Sequence, residues 1–348
     1  MINIEKRINA ITELGNTLVS FKNKDISNDH PLEILIRDAA HYNGWFTEEN
    51  VRNAIVAIGE SLEKEKILRW LEPYRQMMTK KEKPLTVGVV MAGNVPAVGF
   101  HDFLSVLMSG NLFLGRMSSD DNKLLPAIAD ILIGIEPQFK EYIEFTEDRL
   151  QNFHAVIATG SNNTSRYFEY YFGKYPNIIR KNRNGVAVLT GTEPEPELQK
   201  LGQDIFLYFG LGCRSVSKLF VPAGYDFGRL FSALSEYKDI THHHKYSNNY
   251  DYYRSIYLLN KVHHFSNDFL MIKEDVSYAS PPSVLYFEYY DDLAKLAGRL
   301  KSEREYIQCI IGNPESVSGA VPFGNAQKPE LWDYADGVDT MEFLLKLK

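Results

Sequence analysis

Cys213 stands in Tyr208-Phe209-Gly210-Leu211-Gly212-Cys213-Arg214-Ser215, between an amphipathic stretch and the strand-like run Lys218-Leu219-Phe220-Val221-Pro222. The glycines before it remove side chains that would block an incoming carbonyl. They also let backbone N–H groups converge where negative charge would develop. A thiol held this way is a candidate nucleophile. The other reading is a small core residue, because cysteine is among the most buried residue types. The same stretch nearly matches the glycine fingerprint of dinucleotide-binding folds, but that fingerprint needs a helix after it, and here a strand-like run arrives.

Two further turns sit where a strand-like run meets a helical one. Gly93-Asn94-Val95-Pro96 follows Thr86-Val87-Gly88-Val89-Val90-Met91. The Asn94 amide can point out of the carboxyl edge of a sheet or cap the next helix. Thr159-Gly160-Ser161 follows His154-Ala155-Val156-Ile157-Ala158; it suits either a phosphate at a helix N-terminus or an ordinary cap made by Ser161. His242-His243-His244 and His263-His264 have no cysteine or carboxylate pattern at metal-ligand spacing, and consecutive side chains rarely converge on one ion. No metal is expected.

The elements that must position these residues alternate in type. Residues 4–21, 31–43 and 47–74 carry apolar side chains at helical spacing, and Lys80-Lys81-Glu82-Lys83-Pro84 reads as a solvated linker. From Leu85 onward short apolar runs alternate with helical stretches (96–109, 123–135, a helix through Phe172), which argues for a doubly wound α/β domain. A helix starts near Pro196, and Leu198, Leu201, Ile205 and Phe209 share its face on the way to Cys213. A second α/β unit follows, with strands at 219–221, 269–272, 284–289 and 307–311.

With 348 residues, 44% hydrophobic and 24% charged, the chain is an ordinary globular composition, ample for two domains. The net charge of -7 is dispersed, which excludes the basic footprint of a nucleic-acid binder. Two cysteines give no disulfide framework and fit a reducing compartment. No apolar run is long enough to span a bilayer, and residues 1–7 lack a signal core, so a cytoplasmic location is expected. The 21 Tyr and 20 Phe, clustered at 167–172 and 246–257, can pack a core or line an acyl tunnel.

Taken in order, these segments resemble the aldehyde dehydrogenase superfamily, and within it the LuxC-type acyl-CoA reductases. Ala92-Gly93-Asn94-Val95-Pro96 is similar to the family's oxyanion-hole asparagine loop. Gly110-Asn111-Leu112-Phe113-Leu114-Gly115-Arg116 is similar to the strand ending in a basic residue at the adenosine ribose. Thr159-Gly160-Ser161 is similar to the turn at the cofactor pyrophosphate, Gly212-Cys213 to the nucleophile, and Pro322-Phe323-Gly324 to the late proline-phenylalanine-glycine motif. The resemblance implies an aldehyde dehydrogenase-like fold of two doubly wound α/β domains with a short oligomerisation strand, in Asp339-Thr340-Met341-Glu342-Phe343-Leu344. The implied organisation is a helical region at 1–84 packing on the cofactor domain, a nicotinamide cofactor domain at 85–191, a catalytic domain at 192–324, and a C-terminal return at 325–348.

The departures matter as much. Hydrolytic members carry a water-activating glutamate where this chain has Val188-Leu189-Thr190-Gly191, with Glu193 nearby and unassigned. The family's ribose clamp appears as Tyr278-Ala279-Ser280 before Pro281-Pro282. The resemblance therefore implies reduction of an acyl-CoA to an aldehyde through an acyl-Cys213 thioester, with oxyanion donors from Asn94 and the Cys213 backbone. It implies a homo-oligomer, expected as a dimer, and leaves room for an acyl-activating partner enzyme. Arg116 in place of the usual lysine favours NADPH over NADH, because its planar fork suits a 2′-phosphate. The alternatives are a non-acylating aldehyde dehydrogenase using Glu193 or another base, and a cysteine acyltransferase without cofactor.

Overall fold

Strands of a parallel sheet are covered on both faces and so read as continuous apolar runs. The computed structural model, which describes residues 2–23, 26–79 and 83–348, contains two sheets built from such runs. Lys80, Lys81 and Glu82 of the expected linker lie outside the described residues. The chain forms two compact units, residues 1–181 with 330–348, and residues 182–329.

The first unit begins with helices α1 (Ile4–Val19), α2 (Pro31–Arg37), α3 (Ala39–Tyr42), α4 (Glu48–Ser61), α5 (Lys64–Leu71) and α6 (Arg75–Thr79). The Thr47 hydroxyl caps α4 by accepting the Asn50 N–H at 3.1 Å. Ile11, Leu14 and Leu18 of α1 and Val51 and Ile55 of α4 are fully buried, at the spacing that gives each helix one apolar face. Arg52 of α4 makes a buried two-pronged pair with Glu33 of α2, both contacts 2.8 Å, and also donates to the Phe21 carbonyl.

There follow β1 (Thr86–Val90), α7 (Phe100–Met108), β2 (Leu112–Arg116), α8 (Leu124–Ile135), β3 (Ile143–Thr146), β4 (Ala155–Thr159), α9 (Asn162–Phe172) and β5 (Asn177–Arg180). The five strands form one parallel sheet in the order β3-β2-β1-β4-β5. The order reverses beside β1, and open α/β sheets bind ligands outside the carboxyl ends of the strands at such a reversal. Helix α7 starts at Phe100, later than the expected 96, because Ala97 adopts a left-handed φ of 52° and residues 94–99 form turns.

The second unit comprises β6 (Asn184–Val188), α10 (Glu195–Phe206), β7 (Val216–Pro222), α11 (Phe227–Ala233), α12 (His244–Leu259), β8 (Phe265–Ser266), β9 (Met271–Glu274), β10 (Val284–Tyr290), α13 (Leu293–Ser302) and β11 (Ile307–Ile311). Its six-stranded sheet runs β11-β6-β7-β10-β9-β8, parallel except for β8 against β9. Strand β6 pairs with β7 and β11, so the compact units divide at 181/182 where the sequence reading drew its boundary at 191/192. Tyr246, Tyr250 and Tyr257 of α12 are core residues, whereas Tyr167, Tyr170 and Tyr171 of α9 are exposed. Lys218, in the middle of β7, is fully buried; its ammonium donates to the Asp275 and Val276 carbonyls and to Glu288.

The chain then returns to the first unit, and there one expectation is corrected. The segment from Asp339, read as an oligomerisation strand, is helix α14 (Thr340–Lys346). Asp339 caps it by accepting the Glu342 N–H at 2.8 Å, and Met341, Leu344 and Leu345 are buried at helical spacing. The carboxylate cap and the three-four periodicity make this segment a helix where the resemblance implied a strand. Buried Arg180 of β5, paired with Asp102 of α7, reaches Thr340 at 3.1 Å and ties this helix to the unit.

Candidate active site

The segments singled out in the first unit gather at one edge of its sheet. Val90 pairs with Arg116 on one side and with Ala158 on the other. The loop carrying Asn94, the end of β2 at Arg116 and the turn Thr159-Gly160-Ser161 therefore all leave the carboxyl edge around the strand-order reversal.

Asn94 is exposed on a loop that is tightly held. A Cβ on Gly93 would lie 2.7 Å from the Ser118 hydroxyl and 2.9 Å from the Asp121 N–H nitrogen, so only glycine lets the two loops approach this closely. Asp121 accepts the N–H of left-handed Ala97 at 2.8 Å and that of Leu124 at 3.3 Å, joining the Asn94 loop to the start of α8. Burial raises its carboxyl above the usual range, and these N–H groups pull it back. Asp121 was not singled out in the sequence, although an aspartate three residues ahead of Leu124 is a cap signal.

Ser161 accepts the Thr164 N–H at 3.2 Å and is the N-cap of α9. The turn thus keeps its capping role, which leaves the first N–H groups of α9 directed off the sheet edge. Arg116 carries a buried Nε with no hydrogen-bond partner among the described residues. The guanidinium fork at the end of β2 is of a type that pairs with phosphate oxygens.

In the second unit Cys213 is exposed and Cys309 is buried. Helix α10 ends at Phe206, so Phe209 does not continue its face. Instead Tyr208, Phe209 and Gly210 adopt left-handed φ values of 55°, 58° and 74° in succession. Such a conformation at bulky residues costs on the order of 1–3 kcal/mol each and persists only where the surroundings enforce it. Here Tyr208 is buried and Phe209 stacks on His243 with ring centroids 4.0 Å apart. His243 also accepts the Tyr246 N–H at the start of α12. His243 thus serves as a helix cap and as a support for the segment leading to Cys213. Among the described residues no group of three His, Cys, Asp or Glu is placed to hold a metal ion.

Beyond Cys213 the loop is fixed on three sides. Gly185 of β6 donates its N–H to the Ser215 carbonyl at 3.1 Å, and a Cβ there would fall 2.6 Å from the Arg214 carbonyl oxygen. The Cys309 thiol donates to that same Arg214 carbonyl at 3.7 Å, its pKa pushed up to about 12 by burial. Arg214 Nε donates to the Ala326 carbonyl, and Gln327 Nε2 to the Ser215 hydroxyl at 3.0 Å, which brings Pro322-Phe323-Gly324 and its successors against the Cys213 loop. Strand β7 follows where a dinucleotide fingerprint would need a helix. Glu193 is buried, with its carboxylate taken up by the Thr190 N–H and hydroxyl and by the Gly191 N–H.

A model of the LuxC family, acyl-CoA reductase, matches residues 4–224, which takes in the helical region, the first sheet and the Cys213 loop through β7. The chain belongs to the LuxC acyl-CoA reductase family. It is an oxidoreductase with the aldehyde dehydrogenase fold. Aldehyde dehydrogenase 21 from Physcomitrella patens, in complex with the reaction product succinate, is 11% identical; the alignment covers 99% of this chain and 84% of that one with a TM-score of 0.68. An NADP dependent enzyme of E. coli is 10% identical over 91% of this chain and 75% of its own, with a TM-score of 0.65. A mutant indole-3-acetaldehyde dehydrogenase of P. syringae, in complex with NAD+, is 11% identical over 91% and 74%, with a TM-score of 0.60. No curated protein sequence matches the chain. No helix among the described residues is long and apolar enough to cross a membrane.

Proposed function

We propose that the chain reduces the thioester of an acyl-CoA to an aldehyde, with Cys213 as nucleophile. Its sulfur adds to the thioester carbonyl, and the tetrahedral adduct collapses by breaking the bond to the coenzyme A sulfur, which leaves and takes up a proton. The acyl group is then a thioester on Cys213. A reduced nicotinamide, when bound, would supply one hydride to that carbonyl. The hemithioacetal oxyanion that results re-forms its C=O bond and breaks the C–S bond, releasing the aldehyde and returning the electron pair to the Cys213 sulfur as thiolate. Balance requires one acyl-CoA, one reduced nucleotide and one proton in, and one aldehyde, one coenzyme A and one oxidised nucleotide out.

The Cys213 backbone N–H and the Asn94 amide are the oxyanion donors in this reading. Arg116 and the Thr159-Gly160-Ser161 turn hold the nucleotide, with the Arg116 fork on the 2′-phosphate of NADPH. The observation that carries the proposal is an exposed thiol on a loop whose left-handed backbone is enforced by buried neighbours. The engagement of Glu193 by its own turn speaks against water activation by that residue, and so against the non-acylating dehydrogenase. The test is oxidation of NADPH and of NADH against a panel of acyl-CoAs of different length. Aldehyde formation matching nucleotide oxidation, lost in Cys213→Ala, is the expected result; aldehyde formation retained in Cys213→Ala overturns it.

A further inference from the structure

Asp204 lies on α10, nine-tenths and more buried, and no local sequence signal marks it. Both its carboxylate oxygens are used on the far loop of the unit: Oδ2 accepts the Gly324 N–H at 2.7 Å and Oδ1 the Ala326 N–H at 2.9 Å. Gly324 is there in a left-handed conformation with φ of 82°. The Ala326 carbonyl, on the other side of the same residue, accepts from Arg214 Nε. The chain of contacts thus runs from the helix that leads into the Cys213 loop, through residues 324–326, and back to the residue beside Cys213. The charged and titratable groups that face Asp204 are Arg214, Lys328, Tyr237 and Cys309. Burial raises its pKa to about 6, with the two backbone N–H groups and then Arg214 opposing that rise.

The geometry points to Asp204 as a positioning residue for Cys213: its carboxylate sets residues 324–326, and through the Ala326 carbonyl and Arg214 it fixes the backbone that presents the thiol. This rests on the reading of Cys213 as the nucleophile, and it assigns the late Pro322-Phe323-Gly324 segment a concrete task. The clamp has a consequence of sign. Removing a negative charge near a thiol favours the thiolate and speeds alkylation if Coulomb interaction alone matters. Loosening the loop withdraws the N–H groups that stabilise the thiolate and slows alkylation.

The experiment is the rate of Cys213 alkylation by iodoacetamide near neutral pH, in wild type, Asp204→Asn and Arg214→Lys. Buried Cys309, with its raised pKa, does not compete, and peptide mapping confirms the site. Arg214→Lys keeps the charge beside Cys213 but has no Nε–H for the Ala326 carbonyl. Both variants are expected to react at least fivefold more slowly than wild type. An unchanged or faster rate in folded Asp204→Asn overturns the inference. If that variant does not fold, Arg214→Lys decides alone, and a wild-type rate in it overturns the inference equally. Failure of the reductase reading is seen separately, as a wild-type protein that forms no aldehyde from acyl-CoA while its alkylation still responds to these substitutions.

Discussion

At the scale of single residues, the work divides between groups that touch the reacting carbonyl and groups that hold them. An ordinary cysteine has a pKa of about 8.5 and is only a few per cent thiolate at neutral pH, so the backbone around Cys213 matters as much as the sulfur. Loss of one oxyanion donor typically costs about 3 kcal/mol of barrier. Asn94→Ala is therefore expected to lower kcat roughly a hundredfold while changing KM little, read by steady-state kinetics with one acyl-CoA. Glu193 gives the opposite expectation, because its carboxylate is a turn staple. Glu193→Gln should lower stability by about 1–2 kcal/mol in denaturant unfolding and leave kcat within about threefold. Asp121 offered a local cap signal toward Leu124, but its hold on Ala97 and the hold of Asp204 on Gly324 and Ala326 were not legible, since nothing in a sequence records where a distant amide will point.

At the scale of elements, strands were legible and loops were not. The run Thr86-Val87-Gly88-Val89-Val90 has apolar or small residues throughout, so burial on both faces follows from composition. The late start of α7 depends on Ala97 taking a left-handed φ, which alanine's propensity argues against and Asp121 enforces. The same holds for Tyr208 and Phe209. For Asp339 the strand reading came from resemblance, although its sequence already carried an aspartate cap and apolar residues three and four apart. Two glycines test how closely elements must approach. Gly185→Ala places a Cβ against the Arg214 and Ser215 carbonyls, and should cost about 1–3 kcal/mol and reduce kcat together. Gly298→Ala, on α13 with nothing within 4 Å of the new Cβ, should instead raise stability by about 0.5–1 kcal/mol, measured by the same unfolding transition.

At the scale of the whole molecule, the buried Arg52–Glu33 pair of the first unit ties stability to pH. Hydrogen bonding to Arg52 lowers the Glu33 carboxyl pKa below its ordinary value of 4.5. A depressed carboxylate contributes stability that is present above pH 4.5 and lost as pH falls through the folded-state value. Glu33→Gln should therefore unfold at lower denaturant than wild type at pH 7, by about 3 kcal/mol, with the gap closing as pH is lowered below 4.5. The two-unit α/β plan was legible because apolar runs and helical stretches alternate along the chain. Assigning β6 to the second sheet was not, since its run Asn184–Val188 is as apolar as its predecessors and only its partners, β7 and β11, decide its unit.

The central intermediate of the proposed reaction is an acyl thioester at Cys213. Intact mass of wild type and Cys213→Ala, mixed with an acyl-CoA and then with NADPH, measures it. The expected result is an adduct of one acyl group in wild type alone, discharged by NADPH as aldehyde appears. An adduct that forms equally in Cys213→Ala, or one that stays on wild type when NADPH and NADH are added, would contradict it.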